Sequence, residues 1–190
     1  MPEGKNREGK LKAVFLDRDG VLNKLVYHKE AGIIDSPFTA RQFRLLPKTK
    51  EAVEIIRKKG FRTIVISNQP GILKGNFTKK TLMEITGKMT KKLGIDAVYY
   101  CLHHPDFMKC SCRKPKAGLL LKVAREMNVE LKNSFMVGDS WMDIAAGKKA
   151  GCRTILLGNA KCDMCRLLRR NNAVPDNIAK NLYEAAKLIA

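Results

Sequence analysis

Phe15-Leu16-Asp17-Arg18-Asp19-Gly20-Val21-Leu22 is the stretch from which the fold can be read. It continues an apolar run, Ala13 to Leu16, short enough for a buried strand and closed by the turn signal Asp19-Gly20. Asp17 and Asp19 therefore stand where a core strand stops. Positions i and i+2 of a strand share a face, so the two carboxylates repel each other across a short gap. A hard cation held through oxygen relieves that repulsion. The bland alternative for any isolated Asp-x-Asp is a solvated turn with two stray acids, and the rest of the chain has to decide between the two.

Working outward, the 190 residues fit one domain with a full core. Residues 1–12, with Lys5, Arg7, Lys10 and Lys12, read as a frayed basic tail without the apolar segment of a signal peptide. Residues 13–190 read as a single domain. No run of about eighteen apolar residues is present, so no transmembrane helix is expected. A cytoplasmic location is the expectation, with a monomer as the default state. The chain carries 37 basic and 18 acidic residues, a net charge of +19. Such an excess draws polyanions: nucleic acid, anionic lipid or phosphorylated small molecules. The charge does not name one: the lysines are scattered over presumed helix faces and read as a solvated surface, and no basic run is interleaved with base-stacking aromatics. Six cysteines without an export signal point to metal binding or buried thiols instead of a disulfide framework.

Strand and helix signals then alternate. Strand one, Lys12–Leu16, is followed by a long irregular segment from Asn23 to Leu46, placed to cover the end of that strand. An amphipathic helix over Lys48–Lys59 stops at Gly60, and a β-branched strand runs over Phe61–Ile66. Beyond it, Ser67-Asn68-Gln69-Pro70-Gly71 offers small polar donors suited to a phosphate oxygen, or an ordinary turn. Thr78 is a plausible N-cap for a helix reaching about Leu93, and Ala97–Cys101 makes a third strand. A helix over Ala117–Met127, a strand over Ser134–Val137, a helix over Ile144–Ala150 and a strand over Thr154–Leu157 follow. The fourth strand again ends in carboxylates, Gly138-Asp139-Ser140-Trp141-Met142-Asp143. A basic helix with Cys162, Cys165, Arg166, Arg169 and Arg170 is broken by Pro175, and a last helix spans Ile178–Ile189. Cys152 reads as a buried thiol.

The most specific local signal is Cys101-Leu102-His103, then Cys110-Ser111-Cys112. Three thiolates and one imidazole make a closed, four-coordinate Zn²⁺ set able to fold a loop too short for its own core. The spacing is tighter than that of a nucleic-acid finger. His104 adjoins the set and competes with His103 as the fourth ligand, with the symmetrical spacing favouring His103. Arg113-Lys114-Pro115 follows directly, a fork and a point charge at the end of a pinned loop, fit to fix a phosphate.

Alternating strands and helices imply a three-layer α/β fold with a Rossmann-like parallel sheet, whose ligand site lies at the carboxyl ends of the strands. Asp17, Asp19, Ser67, Lys114 and Asp139 all fall at that edge. In order and content, the four motifs Asp17-Arg18-Asp19-Gly20-Val21, Ser67-Asn68-Gln69, Arg113-Lys114-Pro115 and Gly138–Asp143 resemble those of haloacid-dehalogenase-like phosphatases. The Cys/His loop narrows the resemblance to the capless branch that contains heptose 1,7-bisphosphate phosphatases and histidinol-phosphatase domains.

That resemblance implies a phosphoenzyme mechanism. Asp17 is the implied nucleophile and Asp19 the general acid and base, with Ser67 and Lys114 holding the transferring oxygens. Asn68, Gln69 and Arg113 are the implied substrate contacts. Mg²⁺ is expected on Asp17, the Asp19 carbonyl and Asp139, with Asp143 in support, and Zn²⁺ on Cys101, His103, Cys110 and Cys112. The implied substrate is a small phosphorylated metabolite, foremost the C7 phosphate of a heptose 1,7-bisphosphate. Histidinol phosphate, a polynucleotide 3′-phosphate and a non-catalytic polyanion-binding module are the alternatives. The chain departs from the branch in having Ser140 where a Lys is usual, Pro70 where a Ser is usual, and a longer Gly32–Leu46 segment.

Overall fold

The computed structural model describes residues 9–158 and 162–190. β1 (Ala13–Leu16) runs into a small antiparallel hairpin, β2 (Val26–His28) and β3 (Ile33–Asp35). There follow α1 (Thr49–Lys58), β4 (Arg62–Asn68), α2 (Lys79–Leu93), β5 (Ala97–Cys101), α3 (Gly118–Glu126), β6 (Phe135–Gly138) and α4 (Trp141–Ala150). β7 (Arg153–Leu157), α5 (Cys162–Arg170), β8 (Asn177–Ala179) and α6 (Leu182–Leu188) complete the chain. Among the described residues, six strands form one sheet in the order β5-β4-β1-β6-β7-β8, every pair parallel. The chain builds outward from β1 to β4 and β5, then returns to its other side with β6. β1 is therefore flanked at the point where strand order reverses, the place where open α/β sheets bind ligands.

Side-chain alternation sorts the core into two layers. Val14 and Leu16 join Val65, Val137 and Ile155 under α1, α2 and α6, while Ala13 and Phe15 join Ile64, Ile66 and Met136 under α3 and α4. Phe15 and Leu16 are fully buried, and each contributes about 1.5–3 kcal/mol of transfer free energy. Burial on both faces is why these strands read as continuous apolar runs instead of alternating ones.

Several sequence expectations are corrected. The Asn23–Leu46 segment is not wholly irregular. It holds the β2–β3 hairpin, with Tyr27 opposite Ile34 and Gly32 at φ 62° before the return strand. Strands of three residues are too short to show a period. β4 continues through Ser67 and Asn68, pairing Asn68 with Cys101, so these polar residues end the strand instead of following it. α4 begins at Trp141, because Ser140 and Asp143 form a capping box. The last helix does not start at Ile178. Asn177–Ala179 is an edge strand on β7, and Asn181 caps α6 by accepting from Glu184 N at 3.0 Å. α5 ends at Arg170, ahead of Pro175, as the chain turns through Asn172 at φ 47°. Residues 1–8 of the expected tail lie outside the described residues. Leu11 is not frayed: it pairs with Asn128 and Glu130 through hydrogen bonds of 2.9 and 2.8 Å. Among the described residues, no helix is long and apolar enough to cross a membrane.

α4 approaches the sheet closely through Gly147, where an added Cβ would fall 2.7 Å from Met136 Cβ and 2.8 Å from Thr154 Cγ2. Gly147→Ala should destabilise the protein by about 1–3 kcal/mol through overpacking, outweighing a helix-propensity gain of about 1 kcal/mol. A lowered urea midpoint at unchanged m-value is the expected result.

Candidate active site

The end of β1 delivers Asp17 to the carboxyl edge, its N–H held by Val137 O at 3.0 Å. The neighbouring β4 and β6 bring Ser67 and Asp139 alongside. From the loop after β5 comes Lys114, 3% exposed, its Nζ donating to Asp17 Oδ1 at 2.8 Å and to Ile66 O at 2.9 Å. Nζ also pairs with Asp143 Oδ1 at 2.5 Å. Asp143 is 1% exposed and accepts from Ser140 N and Oγ through its other oxygen, so one carboxylate both caps α4 and steadies the lysine. Gly138 is required beside it, since a Cβ there would lie 2.2 Å from Asp143 Cβ. Gly20, at φ 85°, leaves room for the Asp139 carboxylate, which a Cβ would strike at 1.9 Å.

Carboxylate oxygens of Asp17, Asp139 and Asp143 lie within 4.8 Å of one another. Three carboxylates against one ammonium leave two negative charges, and burial together with this crowding raises two of the acids. Burial, with Asp143 and Asp19 nearby, raises Asp17 to about 6 although Lys114 pulls the other way. Burial, Asp17 and Asp143 raise Asp139 to about 7 against the same lysine. Burial opposes the Lys114 charge, but Asp143 and Asp17 outweigh it and hold the ammonium above its ordinary value. An oxygen-lined site short of two positive charges suits Mg²⁺.

Asp19 faces a different set of groups. Arg18 Nε and Nη2, Asn23 Nδ2 and Gln69 Nε2 all donate to its carboxylate, at 3.1, 3.1, 2.9 and 2.6 Å. Gln69 Nε2 also reaches Ser67 Oγ at 2.9 Å. Asn68 does not present its amide to the cleft: its Nδ2 donates to Lys114 O and its Oδ1 accepts from Lys114 N, both at 3.1 Å. It fastens β4 to the lysine loop. Arg113 is half-buried, and its Nη1 has no partner among the described residues. Sequence reading missed Arg18 and Asn23. A cation between two functional aspartates, and an amide four residues after the second, were the available signals.

A cleft of about 500 Å³ opens beside Gly20 and Asp139, walled by Leu46, Thr49, Leu157 and Lys180. A larger one, about 710 Å³, lies at the opposite edge of the sheet near Phe61 and Asp96 and touches none of these acids.

The second cluster is thiol-based. Sγ of Cys101, Cys110 and Cys112 and Nδ1 of His103 lie within 4.8 Å of one another. Cys101 Sγ is 3.8 Å from Cys110 Sγ and 3.2 Å from Cys112 Sγ, and His103 Nδ1 is 3.1 Å from Cys112 Sγ. Three thiols and an imidazole nitrogen drawn this close together suit tetrahedral Zn²⁺, whose bonds of about 2.0–2.3 Å would set its ligands about 3.5–3.8 Å apart. His104 stays outside the set, accepting from Asp106 N at 3.2 Å and stacking on Phe107. Cys152 is buried and its thiol pushed up to about 12 by burial. Cys165 lies on α5, and the side chain of Cys162 lies outside what is described.

A parallel sheet with these acids and a lysine at its carboxyl edge defines a phosphatase of the haloacid-dehalogenase-like class. The HAD-hydrolase-like family profile matches residues 111–185. D-glycero-beta-D-manno-heptose-1,7-bisphosphate 7-phosphatase of Pasteurella multocida (strain Pm70) is 36% identical over 156 residues, 77% of this chain and 80% of that protein. The D-glycero-alpha-D-manno-heptose-1,7-bisphosphate 7-phosphatase of Photorhabdus laumondii is 32% identical over 96% of this chain and 99% of its own. Among solved structures, D,D-heptose 1,7-bisphosphate phosphatase from B. bronchiseptica, complexed with magnesium and phosphate, superposes with a TM-score of 0.77 at 29% identity. The match covers 94% of this chain and 97% of that one. The chain belongs to the heptose-1,7-bisphosphate 7-phosphatase family of haloacid-dehalogenase-like phosphatases.

The thiol cluster joins the end of β5 to the loop that carries Lys114. Cys112→Ser should abolish binding of about one zinc per chain. The melting temperature should fall with it. Elemental analysis and calorimetry on the same preparation check both.

Proposed function

We propose that the chain hydrolyses the C7 phosphate of a D-glycero-D-manno-heptose 1,7-bisphosphate, residues 13–190 acting as one capless unit open to substrate. The observation that carries this reading is the Asp17 carboxylate held 2.8 Å from Lys114 Nζ beside Asp139 and Asp143, at the end of a central parallel strand. Family membership supplies the sugar.

In this reading an Asp17 oxygen attacks phosphorus in line. The P–O bond to the sugar breaks, and Asp19 gives its proton to the departing oxygen. Water then attacks the phosphorus of the aspartyl phosphate and passes a proton to Asp19. Inorganic phosphate leaves, and the Asp17 carboxylate and the Asp19 acid are restored. Lys114 and the Ser67 hydroxyl hold the equatorial oxygens, where charge stabilisation provides most of the acceleration. Asp143 keeps Lys114 aimed and Asn68 fixes its backbone. Arg113 meets the substrate, and Gln69 orders Ser67 and Asp19. Mg²⁺ would rest on Asp17, Asp139 and the Asp19 carbonyl, neutralising their charge and that of the phosphate. Cys101, His103, Cys110 and Cys112 would hold Zn²⁺, which would shape the Lys114 loop away from the breaking bond.

The test is phosphate release with Mg²⁺ from both heptose bisphosphate anomers, histidinol phosphate, common sugar phosphates and a 3′-phosphorylated oligonucleotide. One heptose bisphosphate anomer should be turned over best. Asp17→Asn should lower kcat by about 10⁴-fold or more, and Asp19→Asn by about 10²–10⁴-fold. Release from the oligonucleotide alone would overturn the sugar reading.

A further inference from the structure

Arg18 is the largest of the fully buried side chains, 0% exposed, and the reaction above gives it no task. A buried guanidinium persists only if it is paired. Its pairing is with the residue next to it. Nε donates to Asp19 Oδ2 at 3.1 Å, and Nη2 lies between the two oxygens, 2.9 Å from Oδ2 and 3.1 Å from Oδ1, so the guanidinium fork reaches both. The Tyr100 ring lies 5.8 Å from the guanidinium carbon and supports it from β5. Asp19's other donors each hold a single oxygen: Asn23 takes Oδ1 at 2.9 Å and Gln69 takes Oδ2 at 2.6 Å. Together these two amides restrain both oxygens, and the guanidinium adds a rigid planar donor that reaches both by itself.

We propose that Arg18 is a positioning residue, whose fork, supported by Tyr100, sets the plane of the Asp19 carboxyl group so that one oxygen faces the leaving group. The proposal rests on the role assigned to Asp19 above. Reacting groups tolerate little misplacement, so a lysine at this position should keep the charge and lose the plane. The loss should depend on how much help the leaving group needs. An alkyl oxygen requires the Asp19 proton as the P–O bond breaks. Nitrophenolate departs without one, taking the bond's electron pair and leaving the same aspartyl phosphate.

The experiment compares wild-type and Arg18→Lys full-length protein in two assays. One is steady-state turnover of the best sugar phosphate or, failing any, of glycerol 2-phosphate. The other is nitrophenolate release from p-nitrophenyl phosphate in a single turnover with enzyme in excess. In Arg18→Lys, kcat for the alkyl phosphate should fall about tenfold or more. KM should stay within about twofold, and single-turnover aryl release should slow by less than about threefold. Equal loss in both assays, or no loss with the alkyl phosphate, would overturn the proposal and leave Arg18 a core residue. If Arg18→Lys does not fold, Tyr100→Leu removes the support and leaves the fork's atoms in place. It should show the same split at about threefold, and an unchanged ratio would overturn the proposal. Failure of the underlying reading is separately visible, because Asp19→Asn would then show no such split between the alkyl and aryl assays.

Discussion

A single ammonium among three carboxylates is the interaction on which the site depends. Lys114 touches Asp17 and Asp143 directly, and Asp139 stands within the same group of oxygens. Removing the lysine would leave buried carboxylates facing one another. Removing the carboxylates would leave a fully buried cation. Neither half is tolerable alone, so the loop bearing Lys114 must reach the sheet edge in one place only. The fold spends much of its local structure on that requirement. Asn68 grips the Lys114 backbone from β4, Asp143 is locked by its own capping box, and the thiol cluster pins the preceding loop to the end of β5.

The two aspartates after β1 differ in character because their surroundings differ. Asp17 shares its space with other acids, and burial and crowding push it up towards neutrality. Asp19 sits two residues away in a ring of N–H donors from Arg18, Asn23 and Gln69. Strand alternation puts both on one face, yet the first looks into an oxygen-lined metal site and the second into a donor-lined pocket. A stretch of three residues thus presents two distinct environments, and a cation at the oxygen-lined one would favour the carboxylate form of Asp17.

The family assignment and the charge of the chain describe different things. The acid-lysine cluster concerns the small catalytic edge of the sheet, while the net charge of +19 belongs to the chain as a whole. A strongly positive field favours the approach of any phosphorylated ligand, and at the edge itself the acids and their cation decide what is bound. The departures at Pro70 and Ser140 fall in the same neighbourhood. Ser140 is occupied in capping α4 against Asp143, so this position offers a helix start where a lysine would offer a charge.

The sequence alone determined the layered parallel sheet, through apolar runs too short for helices, and the edge at which Asp17, Asp19, Ser67, Lys114 and Asp139 would meet. It also determined the thiol cluster, because ligand type and spacing are local properties of the chain. Three-residue strands such as β2, β3 and β8 were not legible, since a period cannot be seen in three positions and their pairing partners lie elsewhere in the chain. Nor could the chain order show that Asn68 faces Lys114 instead of the cleft, although the symmetrical spacing does favour His103 over His104 in the metal set. Only the tertiary structure decided that Arg18 lies buried and forked onto its neighbour. Which way a side chain turns at the end of a strand depends on what is packed against it. Here that is Tyr100 from β5, and its position follows from the pairing of β5 with β4.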